Sequence, residues 1–252
     1  MGAGSLGGVS RREEIAANLT AVRERIDRAC EAAGRSPEVI SLIVITKFHP
    51  VEDIAHLVDL GVTDIGENRD QEAGAKMAEL DPAVRSQLTM HFVGQLQTNK
   101  AKSVVAYADC VQSVDRPKLA GALDRAVAAR AGDAGGEASL DVLLQVDLGE
   151  GEDAGRGGIP PAELTHLAET VAGTHRLRLR GLMAVAPLGL DEEGTAAAFA
   201  RLADLAQEVR TTHPEATILS AGMSGDLELA VAAGATHLRV GTAILGSRPD
   251  RR

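Results

Sequence analysis

A chain of 252 residues with 44 % apolar and 25 % charged residues can bury one sizeable core and is not the composition of a disordered segment. Aromatic residues are only 2 %, with no Trp, and the net charge is −10 without a long Lys/Arg run. This argues against base stacking, nucleic-acid binding and an acidic membrane as partner.

Residues 1–10 are Gly-rich and read as a loose tail, with a single domain expected over 11–248. From 11 to 33, Ile15, Leu19, Val22, Ile26 and Ala29 recur at helical spacing, and Gly34 stops the run. ISLIVITK (40–47) is β-branched and too short for a helix, the pattern of a strand buried on both faces. A helix over 51–60 ends at Gly61. Strand-like segments then recur at 62–68, 88–94, 109–115, 141–148, 177–185, 217–223 and 237–245. Helical stretches lie between them at 70–80, 98–107, 116–132, 161–172, 192–211 and 225–233. Eight strands, each but the last followed by a helix, predict a single α/β domain, a (β/α)8 TIM barrel, with an open doubly wound sheet as the alternative. The helix before the first strand is extra to that plan. It is expected to cover the wall that a final helix otherwise covers. AGDAGGE (131–137) and GEGEDAGRGG (149–158) read as long loops on the same barrel. Cys30 and Cys110 form no CxxC pair and read as small buried thiols in a reducing cytoplasm. No apolar stretch reaches the roughly 18–20 residues that cross a bilayer, and no signal-peptide core is present.

In such a barrel the chemistry sits at the C-terminal ends of the strands. The first strand ends in Lys47. An amine leaving an apolar wall is desolvated, which favours its neutral form, and a neutral amine attacks aldehydes. A strand-end lysine that merely snorkels to water is the alternative. The second strand ends in Gly66-Glu67-Asn68-Arg69. Asn68 there can reach a ring hydroxyl, and Glu67 with Arg69 can equally be an ion pair. His91, in the third strand, reads as a core or rim histidine. The seventh strand runs into Gly222-Met223-Ser224-Gly225-Asp226, and the eighth carries Arg239-Val240-Gly241-Thr242. Small residues and hydroxyls opening helices after strands seven and eight are the recurrent phosphate site of these barrels. Each turn alone is also what a tight turn with a Ser cap looks like. Arg239 shares a strand face with Gly241, so an inward face sends its guanidinium into the barrel mouth. A lysine, an arginine and a phosphate cup suit one ligand with an aldehyde and a phosphate, and pyridoxal 5′-phosphate fits.

The segments VITKFHP (44–50), DIGENRDQE (64–72), MHFVGQLQTNK (90–100), QSVDR (112–116), RGLMAVAP (180–187) and LSAGMSGDLELAVAAGATHLRVGTAILG (219–246) stand in one order along nearly the whole chain. In them the chain resembles the YggS/PROSC family of pyridoxal-phosphate homeostasis proteins, whose barrel looks like the N-terminal domain of alanine racemase. The resemblance implies that Lys47 carries the Schiff base and that Asn68 lies near the cofactor ring. It implies that Met223, Ser224, Gly241 and Thr242 contact the phosphate and that Arg239 faces the pyridine nitrogen. Four positions depart from the family pattern. Phe48-His49 follow Lys47 where Thr with Lys or Tyr is usual. Met90 precedes His91 where Trp is common, and Gln95 follows Gly94 where His is frequent. Arg156 stands where some members carry a second lysine, and arginine forms no imine, although it can hold a phosphate.

The expected function is a reversible carrier or buffer of pyridoxal phosphate in the cytoplasm. It is expected to be monomeric and to make transient contact with apoenzymes. A pyridoxal-phosphate-dependent amino-acid racemase is the second reading, and a cofactor-free Schiff-base aldolase the third. A cationic Arg239 opposes protonation of the ring nitrogen and weakens the ring as an electron sink. Racemisation also needs an acid or base on each face of the α-carbon. In the racemase the second base comes from a C-terminal β-domain, for which this chain shows no counterpart. Tyr107, the sole tyrosine, falls in a predicted helix away from the strand ends.

Overall fold

The computed structural model describes residues 9–134, 138–149 and 157–247. Most of the 1–10 tail and residues 135–137 and 150–156 of the two Gly-rich loops, Arg156 included, lie outside the described residues, and 131–134, expected as loop, instead end the helix Pro117–Ala134. The strands are β1 Ser41–Ile45, β2 Asp64–Glu67, β3 Thr89–Phe92, β4 Cys110–Val114, β5 Leu140–Gln145, β6 Leu177–Met183, β7 Ile218–Ser220 and β8 His237–Val240. All neighbours are parallel, and β8 pairs with β1 to close the barrel in chain order. The helices are α1 Arg11–Ala32, α2 Val51–Asp59, α3 Asp70–Glu79, α4 Pro82–Arg85, α5 Ala101–Val105, α6 Pro117–Ala134, α7 Leu164–Ala172, α8 Glu192–Thr212, α9 Leu227–Ala232 and α10 Thr242–Leu245.

Strand alternation sorts the side chains. Val44, Ile65, Val111, Val142, Leu144, Leu182, Leu219, Leu238 and Val240 face outward into one apolar core shared with the helices. Inside the barrel lies a smaller apolar group of Cys110, Leu143 and Met183. The interior also holds Ile43 and a set of polar side chains, buried Gln112, Ser220, His91 and Arg239 among them. Both cysteines are free and buried. No helix among the described residues is long and apolar enough to cross a membrane.

α1 starts on a capping box, in which the Ser10 side chain accepts from the Glu13 N–H and Glu13 bonds back to the Ser10 N–H at 2.8 Å. It covers the wall beside β8, which among the described residues is followed only by the four-residue α10. Asn18 Nδ2 donates to the Ile244 carbonyl at 3.0 Å, and Arg11 donates to the Leu245 carbonyl at 2.8 Å. Arg35 does the same for the Val231 carbonyl of α9 at 2.6 Å.

Three further expectations need correction. The eighth strand stops at Val240, not at 245, and its β-branched continuation turns into α10. Gly241 leaves the extended region, and its carbonyl accepts from Ile244 and Leu245, each at 2.9 Å. The clasp by α1 then takes the helix-end carbonyls, so tertiary contact overrides β propensity. The stretches at 98–107 and 161–172 each open with a 3-10 turn before the α-helix begins. α4 was not expected, although Asp81-Pro82 is a start signal. The Asp81 carboxylate accepts from the Ala83 N–H at 2.7 Å.

Candidate functional site

β1 ends at Ile45, so Lys47 stands two residues beyond the strand rather than at its last position. What holds it there is a braced turn. The Thr46 N–H donates to the Gly66 carbonyl at 3.0 Å, and the His49 N–H donates back to the Thr46 carbonyl at 3.1 Å. Phe48 sits at φ 69, a conformation that costs a side-chain-bearing residue about 1–3 kcal/mol. The Glu72 carboxylate accepts the Phe48 N–H and holds it there. Behind the turn, Lys76 Nζ donates to the Thr46 carbonyl (2.8 Å), to Glu67 (2.7 Å) and to Glu72 (2.8 Å). Glu67 also accepts from Thr46 Oγ1 at 2.7 Å. Burial pushes the Glu67 carboxyl above its ordinary range, against the pull of Lys76. Glu67 therefore pairs with Lys76 and not with Arg69, whose guanidinium stacks on Phe48 at 4.8 Å.

Lys47 opens half-buried into a cavity of about 340 Å³ at the barrel mouth. Met223, Ser224, Arg239, Gly241 and Thr242 line the same cavity, together with Ile45, His49 and Gly225. Six of the seven expected site residues thus meet in one place. Asn68 does not. It lines an adjoining recess of about 560 Å³ with Arg69, Phe92 and Gln95. Gly94 packs so close to it that a Cβ there would stand 2.1 Å from the Asn68 carbonyl oxygen.

Arg239 faces inward and is buried. Its Nη1 donates to Ser220 Oγ and its Nη2 to the Ala184 carbonyl, both at 2.7 Å. Burial lowers its pKa to about 10, which leaves it a cation at neutral pH. Among the described residues no carboxylate pairs with it.

The turns after β7 and β8 supply donors. α9 and α10 are short, so the offer is individual N–H groups rather than a long helix dipole. The N–H groups of Ser224, Gly225 and Thr242 donate to nothing among the described residues. The Met223 N–H is already taken by the Asp226 carboxylate at 2.5 Å, which narrows the contact expected of Met223. Gly222 has φ 89, and a Cβ there would stand 2.6 Å from Ala230 Cβ, so only glycine fits that turn.

His49 is a titratable lining residue not among the expected site residues. It is 6 % exposed, and its Nδ1 stands 3.5 Å from Asp53 Oδ2 with no hydrogen bond of its own. Arg11 clamps Asp53 at 2.7 and 3.1 Å. Burial lowers the His49 pKa, so the ring is held neutral beside Lys47. Its position beside Lys47 and four residues before Asp53 is the signal that could have found it. Tyr107 lies elsewhere, buried, with its hydroxyl on Asp70 at 3.2 Å. A cleft of about 290 Å³ at the opposite end of the barrel, lined by Ser41, Thr63 and Asp64, contains none of the expected residues.

A primary amine, a guanidinium with no carboxylate partner among the described residues and a cluster of free N–H donors in one concave site suit a ligand that carries an aldehyde and an anionic group. The alanine racemase N-terminal domain family matches residues 17–249. A pyridoxal phosphate homeostasis protein of Corynebacterium glutamicum is 42 % identical over 228 residues, 90 % of this chain and 99 % of that protein. A solved structure of an unknown protein from Bifidobacterium adolescentis has a TM-score of 0.86 at 32 % identity, covering 96 % of this chain and 98 % of that one. PipY of Synechococcus elongatus, solved with PLP bound, has a TM-score of 0.77 at 38 % identity, covering 92 % and 100 %.

Proposed function

The chain belongs to the family of pyridoxal phosphate homeostasis proteins, and we propose that it binds pyridoxal 5′-phosphate reversibly at the barrel mouth, as a carrier or buffer of that cofactor. The observation that carries this reading is one cavity lined by Lys47, Arg239 and the turns at 223–225 and 241–242. The residues fit the group. Its phosphate meets the free N–H groups of Ser224, Gly225 and Thr242 and the hydroxyls beside them. Its ring nitrogen meets Arg239. Lys47 would hold its aldehyde end covalently through the side-chain amine. Asn68 would approach the ring only from the neighbouring recess. When bound, the cofactor supplies an aldehyde that condenses with primary amines.

The chain's own residues favour holding over turnover. Arg239 stays a cation at neutral pH, and its acceptors, Ser220 and Ala184, are neutral and do not offset that charge. A cation there disfavours a second positive charge on a ring nitrogen beside it. The turn that presents Lys47 is braced by Lys76, Glu67 and Glu72, so the amine is positioned before any ligand arrives. We extend the reading to a monomer acting in the cytoplasm over residues 11–248, handing the cofactor to apoenzymes by transient contact. Free, buried Cys30 and Cys110 are compatible with a reducing compartment.

The test is a titration of the purified chain with pyridoxal phosphate, followed by absorbance and by equilibrium dialysis. The parent is expected to develop a band that the free cofactor lacks. Lys47→Ala is expected to lose the band while retaining weaker binding that inorganic phosphate displaces. An unchanged band in Lys47→Ala contradicts the assignment of the amine.

A further inference from the structure

Five polar side chains from five strands form an unbroken line across the barrel interior. Arg239 Nη1 on β8 donates to Ser220 Oγ on β7 at 2.7 Å. Ser220 Oγ donates to Gln112 Oε1 on β4 at 2.7 Å. Gln112 Nε2 stands 3.0 Å from His91 Nδ1 on β3, and His91 Nε2 stands 2.9 Å from Asp64 Oδ1 on β2. Gln112 is 0 % exposed, and Ser220, His91 and Arg239 are buried with it.

The two ends fix the direction of every proton between them. A guanidinium only donates, so the Ser220 oxygen accepts there and turns its own hydrogen to Gln112. The Gln112 carbonyl is then occupied, and its amide N–H₂ faces His91. That makes His91 Nδ1 a bare acceptor and leaves the neutral ring's proton on Nε2. Asp64, at the far end, only accepts. Hydrogen bonds aligned head to tail in a low-dielectric interior strengthen one another. A carboxylate in contact with Arg239 would cancel its charge at the mouth. This arrangement orients the guanidinium with a neutral hydroxyl and sets Asp64, the carboxylate of the line, four hydrogen bonds away, while Asp226 acts on the guanidinium through space without a hydrogen bond.

We infer that Gln112 is a positioning residue for the cavity: through Ser220 it fixes the guanidinium of Arg239, and through His91 it ties that guanidinium to Asp64. The inference rests on the reading that Arg239 faces the cofactor ring. The other charged or titratable neighbours along the line are His237, whose ring lies 6.4 Å from that of His91, and Asp226, whose charge acts on Arg239.

The experiment has two readouts on the full chain. Long-range ¹H–¹⁵N correlation spectra without cofactor report the tautomer of His91, assigned by its loss in His91→Gln. The parent is expected to show a bare Nδ1 and a protonated Nε2. Gln112→Leu is expected to give a tautomer mixture, and Ser220→Ala the parent pattern. Pyridoxal phosphate is then added. Gln112→Leu and Ser220→Ala are both expected to move the bound absorbance band and to weaken binding by roughly three- to tenfold, as for one lost hydrogen bond. A protonated Nδ1 in the parent, or a tautomer indifferent to Gln112→Leu, overturns the relay. A band and an affinity unmoved in Ser220→Ala overturn the positioning role, and this small change serves even if Gln112→Leu fails to fold. If the parent takes up no pyridoxal phosphate, the cofactor reading fails, and the tautomer spectra alone decide the relay.

Discussion

Lys76 shows how one buried side chain sets the place of another. Its ammonium satisfies the Thr46 carbonyl and two carboxylates, and Thr46 is the residue next to Lys47. Removing it in Lys76→Met leaves Glu67 buried without its cation. A broken buried pair costs about 3–5 kcal/mol, and urea unfolding is expected to show a loss of that order. Glu67→Gln added to Lys76→Met is expected to recover part of it, and additive losses in the double variant would contradict the pairing. Arg239 governs charge rather than stability. Arg239→Glu is expected to favour the protonated ring nitrogen and to shift the bound absorbance band, whereas an unmoved band means that the guanidinium does not face the ring. Lys47, Arg239 and the two glycine turns were legible because each combines a strand end with a residue type that its chemistry requires. Gln112 and Ser220 were not, because strands this short do not say which polar residues face inward. That Asn68 lines a neighbouring recess rather than the cavity itself has another cause. Its partner Gly94 comes from the next strand's loop, and nothing local to 66–69 reveals how close that loop runs.

The elements around the turns at 223–225 and 241–242 depend on α1. Its Asn18 and Arg11 hold the last carbonyls of α10, whose first residue is Thr242, and its Arg25 donates to the Ser224 carbonyl at 3.1 Å. Asn18→Ala is expected to cost about 1 kcal/mol, the net worth of one hydrogen bond, and to speed amide exchange over 242–246. Weaker binding of inorganic phosphate is expected with it. Unchanged exchange in that segment would mean that α10 stands without the clasp. Chain order, helix spacing and the role of α1 could all be read from the sequence, because apolar periodicity is strong in the long segments. The short pieces could not. TAIL reads as strand by its β-branched and apolar content, yet four residues are decided by what they dock against. The 3-10 openings of the 98–107 and 161–172 stretches carry no apolar signal, and Asp81-Pro82 is a cap without a periodic run behind it.

At the scale of the whole molecule, the polar barrel interior ties stability to pH. Burial, with His91 close by, lowers the His237 pKa from 6.5 to about 4. The folded chain thus keeps this ring neutral while the unfolded chain protonates it between those values. The unfolded state binds the extra proton there, so stability falls as pH drops from 6.5 towards 4, by up to ~1.4 kcal/mol per pH unit at the steepest. Asp64 acts in the same direction at lower pH. Burial raises its pKa, but the bonds from His91 and Thr63 lower it further, and its contribution is lost as it protonates. Thermal unfolding across this range is expected to show a shallower slope in His237→Gln than in the parent, and equal slopes would remove His237 from the account.

The central claim, a covalent and reversible hold on pyridoxal phosphate at Lys47, is met most directly by borohydride reduction of the loaded chain followed by peptide mass mapping. The account predicts a single reduced adduct on the peptide that carries Lys47. An adduct on another lysine, or none after loading, contradicts it.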